Sequence, residues 1–274
     1  MATISRRPES RTDRALTVDE MRQWAPSIFA TKPWHATSDK YKFIPTTHVI
    51  DVLGSRGFLP VRAEQSRSRI DGKEGFTKHV IRFRHADYLR RNVVGSEFPE
   101  IILSNAHDGV SAYTLEGGIF RLDCLNGMVV SSASMDRISI RHTSSDHDFD
   151  GRVLDVTSML AESLPAVMQQ VNEWRGMPIP EPIRRNLAES ATRFRELEVR
   201  DVSPILRPRR REDEGRDLWS TVNVVQENIV RGGSRVVLAD GRFSRTRAIG
   251  SVDSDMRFNR ALWKSADTLA SMIN

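Results

Sequence analysis

Hydrophobic and polar positions follow two regimes along the chain, a period of two over much of the first half and a period near 3.6 over the second. The stretch from Ile101 to Val130 is the centre of the first regime. Its three short apolar runs are separated by Asn105-Ala106-His107-Asp108-Gly109, by Gly117-Gly118 and by Asn126-Gly127, a pattern that predicts strands joined in hairpins. Ser111, Tyr113 and Leu115 alternate with Val110, Ala112 and Thr114, and Phe120, Leu122 and Cys124 alternate with Arg121 and Asp123. One sheet face is therefore expected to be buried and the other wet.

Upstream, Thr17-Val18-Asp19-Glu20 has the form of a helix cap with an acidic first turn, and that helix ends before Pro26. Ser27 to Lys42 is irregular, its Trp34, His35 and Tyr41 suited to packing a connection on the core. Thr46 or Thr47 is expected to cap a helix carrying Val49, Ile50, Val52 and Leu53, stopped by Gly54 to Gly57. Phe58 to Arg62 reads as a strand, and Glu64 to Gly75 as a long hairpin tip with Arg67, Arg69 and Lys73. The return strand, Lys78 to His85, sets Ile81 and Phe83 on one face and Lys78, Arg82 and Arg84 on the other. Arginines at alternate strand positions can track a phosphate backbone, or form a solvated face paired with Glu64 or Asp87. His79 and His85 share the apolar face, as hydrogen-bonded core histidines rather than metal ligands. A last strand, Arg137 to His142, closes a sheet region of about residues 58 to 142.

From Val153 the period lengthens. Leu160, Leu164, Val167, Val171 and Trp174 mark an amphipathic helix kinked by Pro165, and Gly176 to Pro182 breaks it. A second helix carries Leu187, Ala191, Phe194 and Leu197, and ends at Ser203-Pro204. A third, Leu218 to Val230, turns Leu218, Val222, Val225 and Ile229 inward and stops at Arg231-Gly232-Gly233. Its other side is rich in amides, Asn223, Gln226 and Asn228, which can hydrogen-bond base edges or fix a loop through its backbone. A basic connection, Arg235 to Arg247, leads to a final helix, about Asp253 to Met272. These elements predict an α+β fold: an antiparallel β-sheet with an N-terminal helix, followed by a mostly helical C-terminal half packed against it. One compact domain is expected, with residues 1–16 a flexible arm, 17–150 the sheet-containing half and 151–274 the helical half.

Charge adds a partner to this picture. The net charge is +5, and 35 of the 41 cations are arginine, the better fork for phosphate and the better stacking partner for bases; codon usage in a GC-rich genome is the plainer source of the same bias. The candidate nucleic-acid-binding residues are Arg67, Arg69, Lys78, Arg82 and Arg84 on the sheet and its hairpin, the run Arg207, Arg209, Arg210 and Arg211, and Arg242, Arg245 and Arg247. The run is followed by Glu212-Asp213-Glu214, so it also reads as a self-screened loop.

The lone Cys124 offers no disulfide, which fits a reducing cytoplasm, and no apolar run is long enough to cross a bilayer. His107-Asp108, and His142 and His147 with Asp146, Asp148 and Asp150, carry ligand-type side chains without a zinc or other metal spacing. No phosphate-loop glycine pattern or nucleophile elbow occurs, so no enzyme activity, cofactor or metal is expected.

Four separated stretches, ILSNAHDGVSAYTLEGGIFRLDCLNGMVV, FTKHVIRFRHAD, LWSTVNVVQENIVRGG and RFNRALWKSADTLA, resemble the plasmid- and phage-borne bacterial domain-of-unknown-function family numbered 932, from about Ile28 to Leu269. The resemblance implies a cytoplasmic protein of plasmids, prophages or integrative elements, with no catalytic residues to carry over. The leading expectation is a nucleic-acid-binding accessory protein of a mobile genetic element, for single-stranded DNA binding or annealing, acting as a homo-oligomer with no membrane association. The alternative is a non-enzymatic interaction factor that acts on host proteins, such as an anti-defence protein.

Overall fold

The computed structural model describes residues 14–89, 97–121, 127–129, 138–140 and 149–273. Cys124, His142, Asp146, His147 and Asp148 lie outside the described residues. The fold is α+β. The chain forms two compact units, and their boundaries fall inside one strand, at Leu115/Glu116 and Phe120/Arg121, and inside one helix, at Thr157/Ser158, as well as between strands.

The first unit opens with α1 (Val18–Trp24), where Thr17 and Glu20 form the reciprocal cap that the sequence implies. α2 (Thr46–Ser55) follows, and then the antiparallel pair β1 (Phe58–Gln65) and β2 (His79–His85). A short α3 (Ala86–Leu89) precedes β3 (Glu97–Asn105), which pairs antiparallel with β2 and neighbours β4 (Tyr113–Arg121). In the register, Ile81 stands between Ala63 and Leu103, and Phe83 between Pro60 and Ile101, so these residues share one face. α1 and α2 pack on β1, and Val49 and Leu53 of α2 are fully buried. Two expectations change here. α2 is capped by Pro45, without a side-chain cap, because the Thr46 hydroxyl turns inward. The second sheet face is not wet: β2 is buried from His79 to Arg84 and β4 from Tyr113 to Ile119, on both sides of the pleat.

β5 (Gly127–Val129) pairs antiparallel with the end of β4 in the second unit, whereas β6 (Ile138–Ile140) pairs with its beginning in the first. α4 (Phe149–Arg175) runs through Pro165, and α5 (Glu181–Arg193) begins with Pro182 in its first turn, where no amide hydrogen is needed. Phe194, expected on the inner stripe of α5, caps its C-terminus and is 43% exposed.

The remaining helices are α6 (Leu218–Arg231) and α7 (Val252–Ile273). Asp217 caps α6 by accepting the Ser220 amide at 2.8 Å, and Gly232 ends it with φ 64°. The second unit's core holds three tryptophans, Trp174, Trp219 and Trp263, each from a different helix. Trp174 and Trp263 stack with centroids 4.5 Å apart, and Trp219 lies 6.3 Å from both. No helix among the described residues is long and apolar enough to cross a membrane.

Candidate nucleic-acid interface

The alternating arginines of β2 sit inside the protein. Arg84 is fully buried and stacks on Phe98 at 4.3 Å, and Arg82 is 6% exposed. Glu100, opposite Arg84 in the register, accepts from Arg82 Nε at 2.6 Å and from Arg84 Nε at 2.9 Å. Burial lowers the Arg82 guanidinium to about 10, and the Glu100 carboxylate opposes that shift, so the group stays charged at neutral pH. The phosphate-tracking stripe is therefore corrected for these two residues: a guanidinium sealed from solvent and committed to a carboxylate meets no phosphate. Lys78, just before β2, is half-buried, whereas Arg67 and Arg69 are exposed on the β1–β2 connection.

On the apolar face of the same unit, one hydroxyl gathers the buried polar groups. Thr46 Oγ1 lies 2.9 Å from His79 Nε2, 3.0 Å from His107 Nε2, 3.1 Å from Asn105 Nδ2 and 3.3 Å from the Tyr113 hydroxyl. A hydroxyl donates once and accepts twice. The Tyr113 hydroxyl, the most distant of the four, gives its hydrogen to the Ile44 carbonyl at 2.6 Å. Among the three shorter contacts Asn105 Nδ2 can only donate, which leaves one acceptance and one donation for the two imidazoles. His79 Nδ1 lies 3.0 Å from the Ser27 hydroxyl, which can give or take a hydrogen, and 3.3 Å from the Thr77 carbonyl, which only accepts. With the hydrogen on Nδ1 both contacts are satisfied and Nε2 accepts from Thr46. His107 Nε2 then donates to Thr46, and the two rings hold opposite tautomers. Complete burial, with the His107 ring beside it, depresses His79 to about 3. As the sequence implied, His79 is a hydrogen-bonded core histidine. Among the described residues, no group of three or more His, Cys, Asp or Glu side chains is placed to hold a metal ion.

The basic run at 207–211 divides in two. Asn228, on α6, donates Nδ2 to the carbonyls of Ile205 and Arg207, both at 2.9 Å, and accepts from Arg209 Nε at 2.7 Å. Arg209 also donates to the Gly232 carbonyl, and Arg210 pairs with buried Glu227 at 3.2 Å. Asn228 thus fixes this loop through its backbone, whereas Asn223 and Gln226 bond the Trp219 carbonyl and Asn259. Arg209 and half-buried Arg210 commit donors to α6 and its C-terminus, and Arg207, Arg209 and Arg211 are exposed.

Beyond Gly232 the basic connection folds into an element of its own. Strands β7 (Arg235–Val237) and β8 (Phe243–Arg245) form an antiparallel ribbon. Their turn is local: the Gly241 amide donates to Leu238 O at 2.9 Å, with Gly241 at φ 89° where a side chain would be strained. Residues 198–200 add a third edge, through Arg200 N to Val237 O at 2.9 Å and Ala239 N to Glu198 O at 3.0 Å.

On this small sheet Val236 points inward, and Arg235, Phe243 and Arg245 point to solvent. Arg235 is directly opposite Arg245, and Val237 is opposite Phe243, so both arginines share a face with a phenylalanine that is 89% exposed. Arg242 and Arg247 flank it, both exposed. Five arginines in 198–200 and 235–247 meet two carboxylates, Glu198 and Asp240. Asp240 is held below its ordinary range by hydrogen bonds from the Arg242 amide and guanidinium. The ribbon therefore unites Arg242, Arg245 and Arg247 of the expected set and adds Arg235 and Phe243. The Asp240-Gly241 turn between Val236-Val237 and Phe243 was the signal for it.

The family model DUF932, domain of unknown function, matches residues 33–263. The chain belongs to this family. Two DUF932-like relatives of similar length come from Escherichia coli (strain K12). UPF0380 protein YafZ is 35% identical over 266 residues, which is 96% of this chain and 94% of the relative. UPF0380 protein YfjQ is 34% identical over the same length and coverage. No solved structure matches. The DUF932 match encloses the Thr46 node, the Arg82–Glu100–Arg84 trio and the whole ribbon, and ends at Trp263 of the tryptophan cluster.

Proposed function

We propose that this DUF932 protein is a nucleic-acid-binding accessory protein of a mobile genetic element, and that it binds through the β7–β8 ribbon. The carrying observation is the juxtaposition of Arg235 and Arg245 directly across two exposed strands. Like charges at this spacing repel, and among the described residues no carboxylate pairs with either, so a polyanion is the partner that makes the arrangement favourable. Arg242 and Arg247 extend the same basic surface. The mobile-element setting is what the family resemblance implies.

The test is fluorescence anisotropy of the full chain with labelled single-stranded DNA, duplex DNA and RNA, each over a salt series. Four phosphate contacts predict a log–log salt slope of about −3 on a single strand, and the Arg235→Ala, Arg245→Ala double variant should flatten it by about 1.4. Absence of binding to all three at low salt sinks the proposal and favours a host-protein partner. Binding that the double variant leaves unchanged moves the interface elsewhere.

A further inference from the structure

We infer that Phe243 is a base-stacking residue, which makes the ribbon a site for single-stranded rather than duplex nucleic acid. The inference rests on the proposed binding at this ribbon and adds its substrate class. Phe243 is a full-sized aromatic ring left 89% in water on a strand whose neighbour Val236 is buried. It has the geometry of a platform: the ring stands on the face that presents Arg235 and Arg245, two residues from Arg245 along β8. Two strand residues span about 7 Å, so a nucleotide held with its base on the ring has its phosphate within reach of a guanidinium.

Charge selects among occupants. A second copy of this chain pairing along the β8 edge would bring Arg242, Arg245 and Arg247 against their own duplicates, which like-charge repulsion opposes. A polyanion with exposed π-faces satisfies both the arginines and the ring. Duplex DNA satisfies only the arginines, because its bases are stacked away from a side chain lying on the backbone.

The probes are a fluorescein-labelled oligo-dT and a hairpin duplex of equal length, titrated into the full chain and into Phe243→Ala, Phe243→Trp and the Arg235→Ala, Arg245→Ala double variant. The ring is exposed, so its removal leaves the fold intact. Phe243→Ala should weaken oligo-dT about five- to a hundredfold, the range of one lost base stack, and change duplex affinity less than twofold. Phe243→Trp should retain affinity, and its indole emission should be quenched by oligo-dT and not by the duplex.

If Phe243→Ala binds oligo-dT as the parent does, or the indole emission is indifferent to oligo-dT, the stacking role is overturned; a loss of affinity in the arginine double variant then leaves the ribbon standing as a nucleic-acid site. Should no variant, parent included, bind either probe, both readings fall. A shift in oligomeric state on Phe243→Ala, without nucleic-acid binding, overturns the inference in favour of self-association.

Discussion

Arg235 and Arg245 face each other across the two-stranded ribbon as a directly opposed pair. Such a pair is destabilising by a few tenths to about 1 kcal/mol relative to neutral partners, so folding alone gives no reason to hold it.

This separates stability from binding. Arg245→Glu converts the repulsive pair into an attractive one while removing a phosphate contact. Its thermal midpoint should equal or exceed the parent's by one to a few degrees, roughly what a fraction of a kcal/mol gives, while anisotropy with single-stranded DNA falls sharply. A variant that is both less stable and unimpaired in binding would contradict the assignment.

Glu100 answers two guanidiniums in a space closed to water. Glu100→Gln leaves two buried cations without their carboxylate and should cost about 3 to 5 kcal/mol in urea unfolding. Arg67→Ala, on an exposed connection, should cost less than about 0.5 kcal/mol. Equal effects of the two would show that the trio is not closed.

The Thr46 hydroxyl serves Asn105 and two imidazoles at once. Thr46→Val keeps the shape and removes the hydroxyl, at about 1 to 3 kcal/mol for each polar group left unpaired; Thr46→Ser should restore most of that loss. Nitrogen-15 spectra should place the hydrogen on Nδ1 of His79 and on Nε2 of His107, and the same tautomer in both rings would refute the donor count.

His79 also sets a pH dependence. Its unfolded imidazole takes a proton near 6.5 and its folded one only near 3, so between these values the unfolded state holds more protons. Stability from this residue is complete above about 6.5 and is lost as pH falls, by up to about 1.4 kcal/mol per unit, levelling near 3. Urea unfolding between pH 7 and 5, above most carboxylate titration, compared between the parent and His79→Gln, separates this contribution from that of the other six histidines. A flat profile there would argue against a neutral, buried His79.

The parts of the fold written in long periods were legible from the sequence. α6 and α7 lie where Leu218, Val222, Val225 and Ile229, and Phe258, Leu262 and Ala266, recur at helical spacing, and Asn126-Gly127 marks the entry to β5. The ribbon escaped because three residues per strand carry no period, although its turn carried the dipeptide that makes hairpins. The burial of Arg82 and Arg84 was hidden for a different reason: alternation divides a strand into two faces but does not say whether the polar one is covered. Glu100, which makes that burial tolerable, belongs to another strand and becomes a neighbour only through pairing. Of the candidate site, Arg242, Arg245 and Arg247 were legible as charge, and Phe243 was not, because exposure is a property of the folded chain.

The Arg82–Glu100–Arg84 trio also settles how β2 and β3 align. A strand buried on both sides has no wet face to tell one alignment from the next, and Val80, Ile81, Phe83, Ile101, Ile102 and Leu103 would accept several. Shifting β3 by one residue would turn Glu100 toward Ile81 and Phe83 and leave two guanidiniums facing branched aliphatic carbon. Shifting it by two would keep the face but carry the carboxylate about 7 Å along, out of reach of one partner or both. A single acidic side chain thus works as an index pin for the sheet, and its contribution is to the uniqueness of the native pairing as much as to its depth.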